Sequence, residues 1–231
     1  MALFVAQRPA ARTLRVLSRL LAYPDAELRA HLGELREALH TERALSPARL
    51  GELDALIRTL ERAPALEAES DYVELFDRGR STSLHLFEHV HGDSRDRGPA
   101  MIDLAQTYEQ AGLYLAADEL PDHLPVVLEY ASTQPPREAR EFLAETAHIL
   151  NALFAALQQR GSAYAAVPGA LLELAGEKTQ ALQIAAEEPI DVAWQEPAVF
   201  DGCSSKGQAR PDRPQPIRIV RQDRPLQGER A

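Results

Sequence analysis

REAREFLAETAHILNALFAALQQ, residues 137–159, is the stretch whose reading decides the fold. Phe142, Ile149, Leu153 and Leu157 recur at helical spacing on one side, and Gly161 supplies a stop. The pattern predicts one continuous helix from Arg137 to Gln159. Towards the C-terminus, Leu171, Leu172, Leu174, Leu182 and Ile184 follow Pro168 and predict a last helix ending near Glu187. Towards the N-terminus, Leu28, Leu32, Leu35 and Leu39 form a stripe after an N-cap candidate at Asp25. Ser46-Pro47 is a start signal for a helix carrying Leu50, Leu53, Ile57 and Leu60. Pro64 separates it from a helix bearing Leu66, Tyr72, Val73 and Phe76. Another pattern runs from Ala100 to Leu115. Pro121 opens the next helix, with Pro125 in its first turn, and Pro135-Pro136 ends it. No strand alternation competes before residue 190, and no repeat has solenoid spacing. The fold class is therefore all-α, a single-domain helical bundle.

Composition agrees. A chain of 231 residues is long enough for one sizeable core. Its apolar fraction of 45% is largely Ala and Leu, with only 6% aromatic residues, which favours helix over sheet. The formal net charge of −10 excludes nonspecific nucleic-acid binding and suits a basic partner. Cys203 is the single cysteine, so no internal disulfide forms. No apolar run is long enough to span a membrane. Arg8, Arg12, Arg15 and Arg19, with no acid before Asp25, imitate a transit peptide, but Leu14, Leu17, Leu20 and Leu21 read as an ordinary first helix. The expected location is the cytoplasm, without stable membrane association, as a monomer or weak dimer. Residues 1–200 read as the helical domain. Residues 201–231, rich in Pro and Arg, read as a disordered tail. That tail holds seven basic residues against four acids, so the acid excess belongs to the body.

Three segments carry the chemistry: Asp71-Tyr72-Val73-Glu74-Leu75-Phe76, Leu84-His85-Leu86-Phe87-Glu88-His89-Val90-His91-Gly92, and Leu120-Pro121-Asp122-His123-Leu124-Pro125 running on to Glu129. His85 and His89 stand four apart, a spacing that zinc ligands use, with Glu88 and His91 beside them and His123 and Glu129 as distant candidates. The other reading is a helix whose histidines line a groove, with no metal and no cofactor. Asp118, Asp122, His123 and Glu129 resemble an acid–base cluster, yet no nucleophile motif or phosphate loop accompanies them. Asp122 also reads as an acid at a helix N-terminus, beside a patch suited to an arginine-containing peptide. Tyr72 and Phe76 share a helical face, Phe76 expected in the core and Tyr72 at the surface. Arg78 and Arg80 read as solvated charges. Trp194, amid Glu187, Glu188, Asp191 and Glu196, marks an acidic–aromatic segment that packs back or serves as a strap.

Together these segments resemble the nitrate reductase molybdenum-cofactor assembly chaperones, the NarJ or delta-subunit family. The likeness extends to Glu187-Glu188-Pro189-Ile190-Asp191 and Trp194-Gln195-Glu196-Pro197, leaving only the tail outside it. The Pro121-Asp122-His123 element is shared with the wider TorD and DmsD-like chaperones. The resemblance implies an all-helical domain without catalysis. It implies binding of the N-terminal segment of the apo catalytic subunit of respiratory nitrate reductase, support of molybdenum-cofactor and iron–sulfur insertion, and delayed membrane docking. The client groove would be lined by Tyr72, Leu75, Leu84, His85, Phe87 and Glu88 on one side and by Asp122, His123 and Glu129 on the other. Two alternatives stand beside it: a chaperone for another molybdoenzyme, and a metal-dependent enzyme built on His85, His89 and His91.

Overall fold

The computed structural model describes residues 9–90, 94–117 and 119–180. Among these the chain forms α-helices joined by short turns, with one isolated backbone bridge as the sole extended pairing. Helix α1 (Ala11–Leu20) and its cap residue Leu21 supply much of the core: Leu14, Leu17, Leu20 and Leu21 are at most 2% exposed. Each such leucine stabilises the fold by roughly 1.5–3 kcal/mol relative to exposure. Ala10 gives α1 no side-chain cap. Glu42, the last residue of α3 (Leu32–Glu42), caps it instead, accepting from the Arg12 N–H at 3.1 Å and the Thr13 N–H at 2.6 Å. A distant carboxylate thus satisfies the orphan donors and complements the helix dipole.

Two sequence signals work as read. Asp25 accepts from the Leu28 N–H at 2.7 Å and caps α2 (Ala26–Ala30). Ser46 caps α4 (Pro47–Arg62), with Pro47 in its first turn. The leucine stripe across α2 and α3 is interrupted at His31, whose Nδ1 bonds the Glu27 carbonyl at 2.8 Å, yet Leu28, Leu32 and Leu39 are all buried.

The long helix predicted over 137–159 is two helices. α9 (Pro136–Glu145) and α10 (Ala147–Gln159) break at Thr146, which has φ −90 and ψ 1. Its hydroxyl donates to the Leu143 carbonyl at 2.9 Å, a local bond that competes with the helical ladder. The break lets both segments pack on α11 (Ala166–Ala175), so Leu143 and Leu153 enter one core. α11 itself ends well before Glu187. Gly176 adopts φ 80, the left-handed conformation that closes helices, and the Arg140 Nε–H bonds the last carbonyl, that of Ala175, at 3.0 Å. Helix α8 (Leu124–Thr133) starts three residues after Pro121, with Pro125 in its first turn as expected.

Between these, α5 (Ala65–Tyr72) runs into a π-helical turn at Val73–Asp77, closed by the Arg78 N–H on the Val73 carbonyl at 3.2 Å. A 3₁₀ turn (Arg80–Thr82), α6 (Leu86–Val90) and α7 (Arg97–Gln110) follow. Among the described residues no helix is long and apolar enough to cross a membrane. His91, Asp118, the end of the expected last helix, the Trp194 segment, Cys203 and the tail lie outside the described residues.

Candidate functional site

The two motifs that lie 38 residues apart in sequence at His85 and His123 meet in space through backbone pairing. The Leu86 N–H donates to the Asp122 carbonyl at 3.0 Å, and the Leu124 N–H donates to the Leu84 carbonyl at 2.8 Å. This antiparallel bridge stacks the two imidazoles, with ring centroids 5.1 Å apart and planes 29° from parallel. The turn before α8 is held from below as well. Tyr108 donates its hydroxyl to the Pro121 carbonyl at 2.9 Å, and Ser18 of α1 donates to the Pro125 carbonyl at 2.9 Å.

Asp122 is fully buried. It does not cap its own helix: His123 occupies the cap position of α8 and makes no side-chain cap bond. The carboxylate turns instead to the start of α6, accepting from the Phe87 N–H at 3.1 Å and from His85 Nδ1 at 3.3 Å. Arg97, from α7, places Nη2 3.7 Å from Asp122 and 3.7 Å from Glu88. Burial pushes the Asp122 carboxyl up, but the His85 and Phe87 hydrogen bonds and the nearby positive charges outweigh it and hold it below the ordinary value. The hydrogen bond to Asp122 raises the His85 pKa despite burial, while burial and the His85 charge lower that of His123.

A cavity of about 250 Å³ opens beside His85 and Glu88, lined also by Phe76, Asp77, Arg78 and Ser83. A second, of about 370 Å³, lies along the outer face of α8 and is lined by Arg15, Arg19, Tyr108, Tyr114, Glu119, Val126, Glu129 and Tyr130. A third cavity, of about 640 Å³, lies away from the motifs, between α1, α9 and α11.

The structure sorts the predicted groove residues into three groups. His85, Phe87, Glu88, Asp122 and His123 come together. Glu129 belongs to the second cavity, and Leu75 lies half-buried on the π-helical turn, its carbonyl bonded by the Thr82 hydroxyl. Tyr72 and Leu84 are corrections. Tyr72 is 7% exposed, donates to the Leu21 carbonyl at 2.7 Å, and packs among Tyr23, Phe76 and Tyr164. Leu84 is 4% exposed and belongs to the core cluster, because the bridge turns its side chain inward. Arg78 is not merely solvated, since it pairs with Glu74 at 3.0 Å.

His89 Nε2 bonds the Ser83 carbonyl at 2.9 Å, so the proton sits on that nitrogen and the ring serves as a local tie. No group of three or more potential metal ligands converges among the described residues. Sequence reading missed Arg97, just ahead of the pattern that starts at Ala100, and Ser83, whose hydroxyl accepts from the His85 N–H at 3.2 Å. A lone Arg and a lone Ser carry no spacing that would single them out.

The family described as nitrate reductase delta subunit matches residues 22–167, which include both motifs. The chain belongs to that family. It is 45% identical over 196 residues to the nitrate reductase molybdenum cofactor assembly chaperone NarJ of Escherichia coli strain K12, covering 80% of this chain and 83% of that protein. It is 43% identical over 197 residues to the probable assembly chaperone NarW of the same strain, covering 80% and 82%. A solved structure from Archaeoglobus fulgidus, described as a redox enzyme maturation protein, superposes with a TM-score of 0.50 at 21% identity. It covers 72% of this chain and 94% of that one, and shares the helical fold. The named relatives are assembly chaperones, and this chain is a chaperone, not a catalyst.

Proposed function

We propose that this chain binds the N-terminal segment of the apo catalytic subunit of respiratory nitrate reductase in the cytoplasm and supports molybdenum-cofactor insertion before membrane docking. The observation that carries the reading is the backbone bridge joining the two motifs, with His85 and His123 stacked across it beside a buried carboxylate that accepts from the Phe87 N–H. Carboxylates beside aromatic and apolar walls suit a peptide helix with a basic edge and an apolar face. Glu129 and the tyrosine-lined cavity on α8 extend the contact. Tyr72 and Leu84, both buried, support it from beneath. Glu119, which lines the cavity on α8, is close enough for its charge to act on His123.

Calorimetric titration with a synthetic peptide from the N-terminus of that catalytic subunit tests the reading. Saturable binding that weakens several-fold in Glu88→Ala and His123→Ala supports it. A folded protein that does not bind removes the nitrate reductase client and turns the search to peptides of other molybdoenzymes.

A further inference from the structure

We propose that Arg97 occupies, from within the chain, the place of an incoming guanidinium, so that Glu88 and Asp122 form an arginine site held by an internal substitute. The inference rests on the client-binding reading and names the chemistry of the client group. Arg97 Nη2 stands 3.7 Å from each carboxylate, inside ion-pair range and outside hydrogen-bond range. A bidentate arginine–carboxylate contact is shorter and stronger than this. Both Arg97 and Glu88 are partly exposed, with side-chain exposures of 28% and 38%, so water screens their attraction.

Local structure gives Arg97 no reason to point there. It is the first residue of α7, where the helix dipole opposes a cation, and α7 has neither a side-chain cap nor an acid in its first turn. The carboxylates across the site, not the helix, hold the side chain. Exchange with an incoming arginine conserves charge, so the buried Asp122 is never left without a cation. The cavity beside His85 and Glu88, walled by Phe76, receives the rest of the incoming residue.

The test titrates the full-length chain with Nα-acetyl-arginine amide, following the His85 and His123 ring signals by NMR, in wild type and Arg97→Gln. The expected result is at least threefold tighter binding in the variant, with Nα-acetyl-lysine amide weaker than the arginine compound. Equal or weaker binding in a folded Arg97→Gln, or ring signals that do not move, overturns the proposal. Arg97→Lys keeps the charge without the planar fork and serves if the glutamine variant does not fold; no gain there also overturns it. The client peptide run alongside separates the two readings. An arginine amide that binds where the peptide does not leaves this site standing and removes the client. A peptide that binds wild type and Arg97→Gln equally keeps the client and removes the role of Arg97.

Discussion

His85 and His123 stack at 5.1 Å, and their surroundings drive their protonation in opposite directions. His85 is bonded to Asp122, which favours its charged form, whereas His123 is buried against a neighbour that becomes positive. The pair is poised so that one ring takes the proton and the other does not. NMR titration should show His85 titrating above 6.5 and His123 below it. The reverse order would sink this account.

The same pair sets a pH dependence of stability. The raised pKa of His85 contributes stability that is full below 6.5 and lost as pH rises through its folded value. The lowered pKa of His123 contributes stability present above 6.5 and lost as pH falls through its folded value. Urea denaturation of His85→Gln should therefore show a steeper loss of stability on acidification through 6.5 than wild type, and His123→Gln a shallower one. Parallel curves for all three proteins would contradict the assignment.

Asp122 holds the start of α6 to the turn before α8. Asp122→Ala leaves the Phe87 N–H without its acceptor, His85 without its carboxylate and Arg97 with Glu88 alone of the two. The expected cost is about 3 kcal/mol by urea denaturation, with Asp122→Asn losing less because it still accepts from Phe87. A loss below about 1 kcal/mol, the worth of one ordinary hydrogen bond, would show that the carboxylate is not the tie.

Tyr72 belongs to the core. Tyr72→Phe removes the bond to Leu21 and should cost about 1 kcal/mol while leaving client-peptide affinity within twofold. Tyr72→Ala should cost about 3–5 kcal/mol. A tenfold affinity loss in a stable Tyr72→Phe would return Tyr72 to the binding surface.

Gly79 packs without room for a side chain. A Cβ there would lie 2.8 Å from the Leu75 carbonyl oxygen and against the Thr82 hydroxyl. Gly79→Ala should destabilise by about 1–3 kcal/mol, since backbone on the π-helical turn must yield. Calorimetric unfolding checks it, and an unchanged melting temperature counts against the tight turn.

By itself the sequence determined the helical class, the caps at Asp25 and Ser46, the leucine faces, and the motif residues that resemble a chaperone family. Those signals are local: a 3.6-residue period, a capping side chain or a proline acts within one or two turns. Tertiary structure alone decided where the long pattern over 137–159 breaks, because the break falls at Thr146, with no proline or glycine beside it, and each segment packs separately on α11. It alone decided that Asp122 caps α6 rather than α8, since the partner N–H belongs to Phe87, far away in the chain. It buried Tyr72 and Leu84, whose residue types suit a groove and a core equally well. It also brought Arg97 to the carboxylates, because charge pairing across a fold leaves no periodic trace in the chain that makes it.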